Sequence, residues 1–181
     1  MAGIRLRTRF HAEGQRSPVV LASVVATLAW KLAIESINNM RRAKFDIDIG
    51  PPYFDFLGEF LVFMAVAADR IVYKQLDVEV RTAFTVALVK RLSEIVEENK
   101  QLHQVDPSAD QRDFIHLFNR RSAEYAEFDY EAFGFHRYLG ACLREVLLLE
   151  KDHHWVIDQV MDIEAPAAIL ALEKTLTGIL E

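Results

Sequence analysis

One cysteine, Cys142, in 181 residues excludes an internal disulfide framework and a cysteine-based zinc site, and is compatible with a reducing compartment. Five prolines and seven glycines are too few for long irregular loops. The unbroken apolar run at 60–68 is nine residues, fewer than the roughly 20 a membrane-spanning helix needs. Residues 1–17 alternate without building the apolar core of a secretory signal, so a cytoplasmic protein is expected. There is no glycine-rich loop between a strand and a helix, no Gly-x-Ser-x-Gly turn and no His-Glu-x-x-His pair. The common phosphate-binding, hydrolase and zinc-protease signatures are therefore missing.

What is present is helical. Residues 60–68 are apolar without a break, so a helix through them is apolar on every side and belongs inside a domain. A central helix is predicted over 54–73. Its polar residues are Glu59, Asp69 and Arg70. Glu59 and Arg70 share a side of that helix but lie about 16 Å apart along it. Each is expected to complement the helix dipole, Glu59 near the start and Arg70 near the end. Asp69 sits at the wrong end for an acid and calls for a cation from elsewhere.

Around this segment the pattern predicts five more helices. Helix one covers 17–44, with Ser17 as cap, Pro18 in the first turn, and a polar stripe of Ser23, Thr27, Lys31 and Glu35. Helix three covers 78–104 and is amphipathic, capped by Asp77. Helix four covers 107–128, helix five 130–161, and helix six starts near Pro166. The fold class is all-α: a single-domain antiparallel bundle of about six helices, residues 17–181, preceded by an arm, residues 1–16. In helix five, Gly134 and Gly140 allow either a bend or a close helix approach. Cys142, flanked by Leu139 and Val146 on one helix face, reads as a core thiol.

Charge is uneven. The chain carries −6, while residues 1–16 hold four arginines against Glu13, leaving −9 for the remainder. An acidic body disfavours nucleic acid, whose affinity for proteins rests on phosphate neutralisation. In the arm, Arg5, Arg7 and Arg9 alternate with residues that are apolar apart from Thr8 and would share one strand face. The arm can lie on its own domain or a partner, tether to an anionic surface, or address an organelle.

Two constellations could carry function. A carboxylate precedes a histidine by three residues at Asp113/His116 and again at Glu150/His153. On a helix each pair shares a face and could direct two ligands at one divalent transition metal, as in ferritin-like di-iron bundles, with Glu35, Glu59 or Asp69 supplying single carboxylates. With six histidines and 27 acids, chance supplies about one such pair. The order along the chain also departs from the alternation of those bundles. No cofactor is expected, and a metal is the alternative.

The second constellation is aromatic. Eight of 19 aromatic residues fall within 114–138, astride the turn between helices four and five. A core hub, an association surface and a pocket for a flat ligand all fit that density. Phe128, Tyr130, Phe133, Phe135 and Tyr138 are the contact candidates, with Arg5, Arg7 and Arg9 as accessory arm. The expectation is a non-enzymatic interaction or assembly protein that pairs with itself or with another protein. A metalloprotein, or a carrier or sensor of a small apolar ligand held against helix two, are the alternatives.

Overall fold

The computed structural model describes residues 17–43, 49–147 and 154–180. Among these residues there is no strand, and the elements are α1 (Pro18–Arg42), α2 (Pro51–Val72), α3 (Val78–Leu102), α4 (Gln111–Tyr125), α5 (Phe133–Val146), α6 (His154–Gln159) and α7 (Ala165–Leu180). A single π-helical turn (Val160–Glu164) joins α6 to α7, so the last two form one continuous rod.

α2 is the axle. Sixteen of its 22 residues are buried, including every position of the 60–68 run. α1, α3, α4, α5 and α7 form a ring around it, each touching α2. Their directions follow from cross-helix pairs. Arg41 near the end of α1 covers the Tyr53 ring at the start of α2, and Phe54 there meets His103 just past α3. Asp69 at the other end of α2 holds Arg81 and Thr85 near the start of α3. α1 and α3 therefore run parallel to each other and antiparallel to the axle. α4 runs with α2, because Gly58 abuts Leu117 while Arg70 reaches the carbonyl of Tyr125. α5 returns, and α7 descends beside α1 from an Asn39–Glu164 contact. Consecutive rods are antiparallel, as short connections favour.

Local chemistry moves several boundaries. Gly50 is extended and Pro51 and Pro52 open α2, where missing N–H groups have no intrahelical partner to lose. The axle thus begins three residues before the predicted 54. α3 stops at Leu102 because Gln104 is left-handed, at φ 56°. α4 begins at Gln111 rather than 107: Asp106 folds back onto Ser108, and Asp110 caps the helix through the Arg112 N–H at 2.8 Å.

The long helix expected over 130–161 is divided. α5 ends at Val146 and α6 starts at His154. Pro166, expected to start a helix, is instead absorbed. The preceding turn widens so that the Ala165 N–H reaches the Val160 carbonyl, giving room for a proline ring that would clash in a regular α-turn. Gly140 serves close approach, since a Cβ there would lie 2.7 Å from Ile157 Cγ2. α1 is, among the described residues, long and apolar enough to cross a membrane by length and composition. In the bundle its apolar side faces α2, α3 and α7, and Ser23, Thr27, Lys31 and Glu35 are all exposed.

Candidate functional site

The densest chemistry lies where α2, α4 and α5 meet. Glu59 is 1% exposed and Arg121 8% exposed. The guanidinium grips both carboxylate oxygens: Nε lies 3.1 and 3.0 Å from Oε1 and Oε2, and Nη2 2.7 Å from Oε1. Arg121 Nη1 donates to Glu124 Oε2 at 3.1 Å and to the Tyr138 hydroxyl at 3.0 Å. That hydroxyl donates in turn to Glu124 Oε2. Glu145, mostly exposed, approaches Arg121 Nη2 at 3.6 Å. One cation thus gathers carboxylates from three helices.

Burial and hydrogen bonding shift three groups around Arg121. The Tyr138 hydrogen bond, reinforced by Arg121, keeps the Glu124 carboxyl below its ordinary range. Burial, with the bond to Glu124, pushes the Tyr138 phenol up. Burial and the Glu59 charge push the Cys142 thiol up to about 12, so it is no thiolate at neutral pH. Tyr125, directly beneath, is fully buried, and its hydroxyl has no hydrogen-bond partner among the described residues. Both oxygens of Glu59 are engaged by Arg121. The arrangement of the cluster ties helices together.

Glu59 therefore does not complement the dipole at the start of α2; it lies two turns in and is ion-paired. The signal for its partner was in helix four. Arg121 stands three residues after Phe118 and four before Tyr125, so it sits on the apolar face, unlike Arg120. Arg70 does stand in the last turn of α2, where a cation suits the helix dipole, and its guanidinium also reaches a second helix. It donates to the carbonyls of Tyr125, at 2.5 Å, and Phe128, closing the C-terminal end of α4, and stacks over the Phe135 ring. Asp69 has the foreign cation it called for, with Arg81 Nε at 3.0 Å from Oδ1.

The aromatic residues divide between core and surface. Phe135 is fully buried against Phe63 and Tyr125, with ring centroids 5.0 and 4.7 Å apart, so it offers no contact surface. Phe128 and Tyr138 are half-buried and stacked on each other, and Tyr130 is half-buried. Phe133 is the member that projects, at 58% exposure. Arg5, Arg7 and Arg9 lie outside the described residues.

Asp113 and His116 are both exposed on α4, while Glu150 and His153 lie outside the described residues. Among the described residues no three His, Cys, Asp or Glu side chains are placed to hold a metal ion. A recess of about 150 Å³ against α2 has Phe54, Gly58 and Leu117 as its floor and Asp55, Glu97 and Lys100 on its rim. Pockets for drug-sized ligands start at about 300 Å³, so this one admits only a very small molecule.

A different surface went unnoticed in the sequence. α7 buries Ala168, Ile169, Leu172 and Leu176, yet its opposite face exposes Ala167, Leu170 and Lys174, preceded by Ile163 in the π turn. Ile163 is 52% and Leu170 67% exposed. No family model matches the chain, and no curated protein or solved structure is significantly similar to it.

Proposed function

We propose that this protein is a non-enzymatic helical interaction module that associates with itself. The observation that carries the reading is the outer side of the last rod, where Ile163 of the π turn and Leu170 of α7 meet solvent while the other side of α7 is buried. A rigid frame with spare apolar side chains is what a helix-mediated contact requires. The fate of the buried polar groups supports the same reading. Glu59, Arg121, Asp69, Arg81 and Arg70 are engaged in joining helices, and Cys142 is an inert thiol. Phe133 adds one exposed aromatic contact at another corner.

Light scattering on the size-fractionated full chain tests the reading. A mass above one chain that rises with concentration is expected. A strict monomer across the accessible concentration range overturns it.

A further inference from the structure

Resting on that reading, we infer that α7 is the contact between two copies, paired antiparallel about a two-fold axis that passes between Ala167 and Leu170. Two-fold pairing demands a self-complementary face. Along α7, Ala167, Leu170, Lys174 and Gly178 recur at the spacing that keeps them on one side, and all are exposed. When two such helices run in opposite directions about this axis, Leu170 of one copy lies over Ala167 of the other. A large side chain then fills the notch left by a small one, twice, which permits the 8–10 Å axial separation of packed helices.

The charges fit the same register. Asp162 and Lys174 are both exposed, one toward each end of the face. They stand about 9 Å on either side of the proposed axis at the rise of a helix. Antiparallel pairing brings each Lys174 beside the other copy's Asp162. Parallel pairing would instead set Lys174 against Lys174 and Asp162 against Asp162. Neither residue has an ion-pair partner among the described residues. The face thus carries a size match and a charge match that converge on one axis, and a second copy of this chain supplies both.

The test uses the full chain and sedimentation or light scattering. K174E places like charges together at both ends and is expected to weaken the dimer about tenfold, since two exposed pairs are lost and replaced by repulsion. D162K does the same, and the D162K/K174E double variant restores wild-type association. L170D, at an exposed position that leaves the fold intact by circular dichroism, is expected to yield monomer. A167C should give a linked dimer with a short bis-maleimide, whereas the wild type, whose only cysteine is buried, should not. If the wild type is a dimer that K174E and L170D leave unchanged, the α7 surface is wrong while self-association stands. If the double variant is no tighter than its singles, the antiparallel register is wrong. A monomeric wild type removes both.

Discussion

Arg121 and Glu59 stand 62 positions apart and meet through three hydrogen bonds of 2.7 to 3.1 Å in the interior. The pair fixes the rotation of α4 against the axle, because both side chains must arrive at one buried point. Removing one partner strands a charge away from water. R121M or E59M should each cost about 3–5 kcal/mol in urea unfolding. The double variant E59M/R121M is expected to recover much of that loss, since the carboxylates that remain, Glu124 and Glu145, reach solvent. Double-variant stability equal to the sum of the singles would show that the pair is not coupled.

Arg70 bears on a different structure, the end of α4. Its guanidinium donates to the carbonyls of Tyr125 and Phe128 at the end of α4, the first of which also accepts the Phe128 N–H at 3.0 Å. R70M should destabilise the fold by about 1–3 kcal/mol. Amide exchange between residues 126 and 132 should accelerate first, with α1 and α3 little changed. Uniform acceleration would assign Arg70 to global packing instead.

His136 predicts the pH response. Burial holds its imidazole below the ordinary value of 6.5, edge-on to Phe63, with Nε2 lacking a partner among the described residues. The unfolded chain therefore binds a proton before the folded one does. Stability is complete above the unfolded pKa and falls as pH drops through about 6.5 toward the lower folded value. H136F replaces the imidazole with an apolar ring and should flatten the stability profile between roughly pH 7 and 5. A slope that survives H136F would assign it to other groups.

Cys142 offers a probe of global opening. A thiol pushed up to about 12 and enclosed should not react with a disulfide reagent at pH 7 in the native state. Labelling should appear together with the loss of helical signal as urea is raised. Reaction ahead of unfolding would mean that α5 opens locally away from α2 and α4.

Local patterning made much of this molecule legible. The uninterrupted 60–68 run is the buried axle, and the four-residue spacing of Ser23, Thr27, Lys31 and Glu35 marks the solvent side of α1. Pro166 misled because a widened turn, invisible to periodicity, relieves its clash. Phe135 and Phe133 show the limit at the aromatic corner. Two residues apart on one helix, they point to different sides, and only the placement of Phe63 and Tyr125 decides which is enclosed.

The sequence by itself determined that the chain is helical and which helix cannot face water, because those properties depend on side chains within a few turns of one another. Tertiary structure alone decided the order of the ring, the pairing of Arg121 with Glu59, the attachment of Arg70 to α4 and the bare face of α7. An apolar stripe specifies that something must cover it and a buried charge that something must balance it. Neither specifies which distant segment does so, since that choice is made by the packing of all six rods at once.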